Sequence, residues 1–305
     1  MFDGQFLPGC PVPLAEPWRG REKLLKMVVM AIDECMESLS ASARGDIPLV
    51  LCLAELDRPG RLPDLDSSFF DETVRRLEKG SLIGSGSTVL LNGKIGGALA
   101  LYEASKLLQQ GHPSCVVAGV DSYLTANTLT AYHERHRLKT EKNSNGFMPG
   151  EAASALLLAK ANSSSPQLQC IGIGVGQETA TVESEYPLRA DGLVQAIKAA
   201  LVDSGCTYKD LHYRITDLNG EHYSFKEASL ALTRTMRVRK EHFDIWHPAE
   251  CIGEVGAAIG PIVITVASAA AIKGYAPGPG VLCHFANDDG KRVALLLKQP
   301  GGKVN

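Results

Sequence analysis

The stretch from Thr88 to Leu124 limits the possible folds of this chain more than any other, because a strand, a sharp turn, a helix and a second strand follow one another without interruption. Thr88-Val89-Leu90-Leu91 reads as a buried strand and Asn92-Gly93-Lys94 as a tight turn. Ile95 to Gln110 reads as a helix with Ala98, Leu101, Ala104, Leu107 and Leu108 along one side, stopped by Gly111. Cys115 to Val120 is then almost fully apolar, the pattern of a sheet covered on both faces. Such an elbow lifts one side chain above the sheet edge and turns the first N–H groups of the helix toward it, which suits a nucleophile or an anion. Lys94 holds the tip and is neither. The plain alternative is an Asn-Gly turn whose lysine is simply solvated.

The rest of the chain repeats this kind of unit. With 305 residues, 45% of them hydrophobic, it can bury a large core, expected as two lobes over 1–163 and 164–305. Arg21–Leu39 has the spacing of an amphipathic helix, Ile47–Ala54 of a buried strand, Glu55–Leu65 of a loop, and Phe69–Gly80 of a helix ended by glycine. After the elbow come a polar stretch Thr125–Lys142 with a short helix and a strand Ala153–Ala159. Asn162–Gln169 reads as the seam between lobes. The second lobe is expected to run strand Cys170–Gly176, helix Asp191–Ser204, strand Tyr213–Asp217, helix Lys226–Arg237, helix Ile252–Lys273, and a hairpin of Val281–Phe285 with Arg292–Lys298.

Several function classes are disfavoured. A net charge of −3 leaves no basic footprint for nucleic acid. The apolar run Ile259–Ile272 is shorter than the roughly 20 residues of a membrane span, so it reads as a core helix and no span is expected. The opening MFDGQFLPGCPVPL lacks the basic and apolar segments of a secretory leader, which makes the cytoplasm the expected location. Eight cysteines form no C-x-x-C pair, and no helix opens on the Gly172, Gly174, Gly176 alternation, so neither a metal nor a nucleotide cofactor is expected. That alternation suggests close packing between lobes.

Three segments carry a resemblance. They are Asn145-Gly146-Phe147 followed by Gly150-Glu151-Ala152-Ala153, the elbow helix followed by GHPSCVVAGVDSYL, and Ile252 to Gly260, IGEVGAAIG. Together they resemble the β-ketoacyl synthase branch of the thiolase-like superfamily, from about Arg21 to Gln299. The resemblance implies a thiolase-like, five-layered αβαβα duplicated α/β fold, here with a shortened N-terminus and one core strand missing. It also implies a homodimer through the strand Ser114–Val120, and a structural rather than catalytic Glu151.

That family condenses acyl groups with an elbow cysteine, two histidines (or a histidine and an asparagine) and a supporting lysine. Carried over by position, the cysteine falls on Lys94, the first histidine on Asp217 or within a residue or two of it, the second on Glu254, and the lysine near Ala249. A lysine amide is a far poorer acyl donor than a thioester, so ordinary condensation is not expected. Cys251, Cys283, His222 and His247 are other candidate groups along the cleft, each with a structural alternative. Two classes of function remain open. One is a non-catalytic binding, adaptor or assembly partner, with a protein or acyl carrier as its ligand, as degenerate ketosynthase-like proteins pair with active subunits or occur beside type VI secretion components. The other is an acyltransferase or thioester-processing enzyme that uses Lys94, Asp217 and Glu254.

Overall fold

The computed structural model describes residues 7–37, 39–40, 46–77, 84–161 and 167–301. The chain divides into two compact units, 1–160 with Ala249–Ile262 and 161–248 with 263–305. The segment around Glu254 therefore belongs with the elbow, although it lies far along the chain.

In the first unit the elements are α1 (Gly20–Met36), β1 (Leu49–Cys52), α2 (Ser67–Arg76), β2 (Thr88–Leu90), α3 (Gly96–Gln109), β3 (Ser114–Ser122), α4 (Ala126–Glu134) and β4 (Glu151–Ala159). The sheet order is β2-β1-β3-β4, parallel except for β4 against β3. The apolar runs have a simple cause. Alternate residues of each strand face opposite sides, and both sides are covered. Leu49, Leu51, Val116, Ala118 and Val120 pack on α1 and α2 through Leu24, Leu25, Val28, Ile32 and Phe69. Val50, Cys52, Cys115 and Val117 pack on α3 through Ala100, Ala104 and Leu107.

The second unit holds β5 (Gln169–Gln177), α5 (Asp191–Ser204), β6 (Tyr213–Thr216), α6 (His222–Thr235), β7 (Ile245–Trp246), β8 (Gly280–Ala286) and β9 (Lys291–Lys298), in the sheet order β5-β9-β8-β6-β7. The helix α7 (Ala249–Ile252) lies in the first unit; α8 (Ile259–Lys273) starts there and passes into the second at Val263.

Some expectations are corrected. Ser114–Val120 is not a strand edge: β3 lies inside its sheet, bonded to β1 on one side and to β4 on the other, so it has no edge left for a partner. The glycines of β5 serve their own unit. A Cβ on Gly174 would lie 2.0 Å from the Ala196 carbonyl, and one on Gly172 2.5 Å from that of Ala200, so they let α5 approach its strand. Helix α2 begins at Ser67, where the Asp66 carboxylate accepts from Ser68 N at 2.9 Å, and ends at Arg76 because Leu77 turns extended (ψ 146°). Its expected end at Gly80 and residues 162–166 of the expected seam lie outside the described residues. Helix α6 starts at His222, four residues before the expected Lys226.

The expected helix Ile252–Lys273 is interrupted, because Gly253 (φ +75°) and Gly256 (φ +51°) turn the chain before α8 begins. Among the described residues, Gly256–Lys273 is by length and composition apolar enough to cross a membrane, one turn longer than the sequence reading allowed. The fold buries 56% of it, as expected of a core helix.

Candidate active site

Two turns of nearly identical geometry meet in the first unit. Asn92 (φ −120°, ψ 12°) precedes Gly93 at φ +52°, and Val255 (φ −121°, ψ 15°) precedes Gly256 at φ +51°; each glycine opens one 3₁₀ turn that runs into a helix. Left-handed φ values of this kind favour glycine. The helices that they open pack directly on each other at their first turns, since a Cβ on Gly97 of α3 would stand 2.8 Å from Gly260 Cα and 2.5 Å from Pro261 Cδ of α8. This contact is what brings residues 94 and 254 together across the sequence.

Lys94 Nζ lies 3.5 Å from Glu254 Oε2, with the lysine side chain 12% and the glutamate 3% exposed. Glu254 Oε1 accepts from Gly256 N at 3.0 Å, and its backbone is tied to the segment leading into β4, donating to Met148 O (2.7 Å) and accepting from Gly150 N (2.9 Å). An ammonium at the start of a helix is opposed by the helix dipole, and a carboxylate at ion-pair distance offsets that cost. Lys94 is thus not the solvated lysine of a plain turn.

Three further charged groups, not singled out in the sequence, surround this pair. A Cβ on Gly93 would fall 1.9 Å from Glu55 Oε2, so the Glu55 carboxylate rests on the elbow itself. Asp121 takes the same place on the other turn, 2.0 Å from a Cβ on Gly256, and its Oδ2 accepts from Ala257 N at 3.1 Å. Arg58 Nη1 reaches Asp121 Oδ1 at 2.5 Å, and its guanidinium lies 4.7 Å from the centre of the Tyr123 ring. Burial works against the Arg58 charge, yet Asp121, Tyr123 and Glu55 hold its pKa above the ordinary arginine value. Burial also lifts the Tyr123 phenol well above its usual range, with Tyr132, Glu254 and Glu55 acting in the same direction. The signal in the sequence was an acidic residue at the carboxyl end of each of two apolar strands, Glu55 just after β1 and Asp121 near the end of β3. Ligands of α/β sheets gather at such carboxyl ends.

Asp217 belongs to the second unit, just past β6, where its Oδ2 accepts from Ala286 N at 2.9 Å. Nearby, Asn219 donates to Glu221 Oε2 at 3.2 Å, and His247 meets Phe225 edge-on at 5.4 Å. Cys283 is fully enclosed in β8, where burial pushes its thiol pKa up and so disfavours the thiolate; Cys251 is exposed on α7. Glu151 is a buried structural carboxylate, paired with Lys23 and accepting from Ser122 Oγ at 3.0 Å.

No family model matches the chain, and no curated protein matches it in sequence. Solved structures do. The ketosynthase from module 6 of the bacillaene synthase of Bacillus subtilis 168 aligns with a TM-score of 0.72 at 14% identity over 92% of this chain. A type II polyketide synthase acyl-carrier protein in complex with its ketosynthase bound to the hexaketide gives 0.73 at 13%, covering 92% of this chain and 85% of that one. The ishigamide ketosynthase/chain length factor gives 0.73 at 14%, covering 96% and 88%. The chain spans only 57% of the length of the bacillaene ketosynthase. The protein therefore has the thiolase-like α/β fold of ketosynthases and chain length factors.

Proposed function

We propose that this protein is a ketosynthase-like partner that does not condense acyl groups, and that it acts as a binding or assembly subunit in the cytoplasm. The observation that carries the reading is the Lys94–Glu254 ion pair at the elbow. A condensing site needs there a thiolate that forms a thioester and later gives up the acyl group; an ammonium held by a carboxylate offers no free electron pair for attack. The crowding of Glu55, Asp121 and Arg58 around the two turns agrees with a position given over to charge pairing. A protein partner is supported by the company of the fold, since several similar structures are complexes of a ketosynthase with an acyl carrier or a chain length factor. The partner would be a component of an acyl-carrier-dependent synthase, or of a type VI secretion effector-loading system.

The second reading is acyl transfer or thioester processing with Lys94 and Glu254 as an acid–base pair. It is favoured by the 12% exposure of the lysine, which leaves it within reach of a small substrate. Incubation with radiolabelled malonyl and acyl thioesters of coenzyme A and of an acyl carrier protein separates the two. The partner reading expects no covalent label, no released carbon dioxide and no hydrolysis, together with specific capture of a ketosynthase or acyl carrier from the native host. Turnover that disappears in Lys94→Met while the fold persists would establish the enzyme.

A further inference from the structure

The segment that carries Glu254 reaches the first unit from far along the chain. The chain leaves that unit after Lys160 and returns at Ala249, so the covalent connections of Ala249–Ile262 run through the second unit at both ends. Its hold on the first unit is noncovalent and centres on Met148–Glu151. On one side of that stretch Glu254 N donates to Met148 O at 2.7 Å and Gly150 N to Glu254 O at 2.9 Å. On the other side Cys10 N donates to Pro149 O at 2.9 Å and Glu151 N to Cys10 O at 3.2 Å. The residues just before Glu254 cross the same stretch, since a Cβ on Gly150 would stand 2.2 Å from Ile252 O and one on Gly253 2.7 Å from Met148 O. This crossing carries Cys251 to Cys10. Cys10 Sγ lies 3.8 Å from Cys251 O and 3.8 Å from Met148 Sδ, so two cysteines 241 residues apart meet. Both are free thiols, Cys251 exposed and Cys10 partly exposed, whereas Cys52, Cys115 and Cys283 are buried.

We propose that Cys10 and Cys251 are a peroxide-responsive pair, which closes into a reversible disulfide and ties the Glu254 segment covalently to its own unit. The two residues are within reach of each other. A carbonyl oxygen stands about 2.4 Å from its own Cα, so the 3.8 Å contact puts Cys10 Sγ within about 6 Å of Cys251 Cα. Bonded cysteines keep their Cα atoms about 4.4–6.8 Å apart, and rotation of both side chains about Cα–Cβ brings the sulfurs together. The Cys251 side chain is exposed, so packing does not fix its rotamer. It also meets an oxidant first. Its thiolate attacks one oxygen of hydrogen peroxide, the O–O bond breaks, and the other oxygen leaves as hydroxide and is protonated to water, which makes Cys251 a sulfenic acid. The Cys10 thiolate then attacks the Cys251 sulfur; the S–S bond forms as the S–O bond breaks, and a second water is released. Two electrons pass from the sulfurs to the peroxide, and the two thiol protons end in the two waters. Exchange with a small-molecule thiol restores both cysteines. With the disulfide closed, the Glu254 segment separates less readily from Met148–Gly150. The pair is independent of the reading of Lys94.

The test is peptide mapping of the full chain after treatment with hydrogen peroxide, with remaining thiols blocked before digestion. Trypsin cuts after Arg19, Lys240 and Lys273, which leaves Cys10 and Cys251 as the single cysteines of peptides 1–19 and 241–273. The expected product is these two peptides joined, from protein that still runs as one chain on a non-reducing gel, and separated again by dithiothreitol. Hydrogen exchange at Gly150 and Glu254, whose N–H groups hold the segment, is expected to be at least ~10-fold slower in the oxidised than in the reduced protein, because exchange follows opening of those bonds. Cys251→Ser should abolish both the joined peptide and the change in exchange. Cys251 found as a sulfinic or sulfonic acid beside a Cys10 thiol overturns the proposal, as does a disulfide to another cysteine or between chains, or exchange that the cross-link leaves unchanged. Should Cys251→Ser not fold, the wild-type map and exchange rates decide by the same outcomes.

Discussion

Replacing Lys94 with methionine tests the account of the elbow most directly, since it removes one charge at nearly constant length. At 3.5 Å and an effective dielectric near 20, the attraction to Glu254 is about 5 kcal/mol. Not all of it is lost. Glu254 keeps its bond from Gly256 N, and a stranded carboxylate can take up a proton. Breaking a buried pair costs about 3–5 kcal/mol, and with Lys94 slightly exposed a net loss of about 3 kcal/mol is expected. At roughly 2.1 cal/mol/K of unfolding entropy per residue, that corresponds to a fall in melting temperature of about 5 °C for a chain of this size. Adding Glu254→Gln to Lys94→Met should restore most of the loss, because the neutral amide needs no counter-charge. A melting shift under 1 °C, or an equal loss from Lys94→Met in the Glu254→Gln background, would refute the ion pair as the reason for lysine at this position.

Two other changes follow from the same geometry. Gly93→Ala places a methyl group 1.9 Å from Glu55 Oε2 and forces a left-handed φ on alanine, which alone costs about 1–2 kcal/mol; a loss of stability partly recovered by adding Glu55→Ala is expected in chemical denaturation. His284 is neutral in the fold, its pKa lowered to about 3 by burial and by the nearby Arg214 and Arg292. The unfolded chain takes up that proton below its ordinary value near 6.5, so stability is full above that pH and falls as pH drops toward 3, by up to about 1.4 kcal/mol per unit. His284→Gln should flatten this part of the stability profile, and an unchanged slope would remove His284 as its source.

Local patterns in the sequence were enough for the elbow, the buried strands and most helices, because helix and strand periodicities depend on neighbours a few residues apart. The resemblance carried Lys94 and Glu254 to matching positions, and the two side chains do meet. Other features depended on contacts that no local pattern records. An apolar strand reads the same inside a sheet as at its edge, so β3 could be recognised as buried but not as flanked on both sides by β1 and β4. The glycines of Ile252–Gly260 could be seen but not their left-handed φ, which forms a second elbow matching the first. Glu55, Arg58 and Asp121 look like ordinary loop and strand-end charges, since what buries them is the packing of turns about 160 residues apart. The sequence determined which segments form strands and helices; the tertiary structure decided which strands pair and which charges are desolvated together, because desolvation depends on what surrounds a group on every side and sequence neighbours supply only a small part of that.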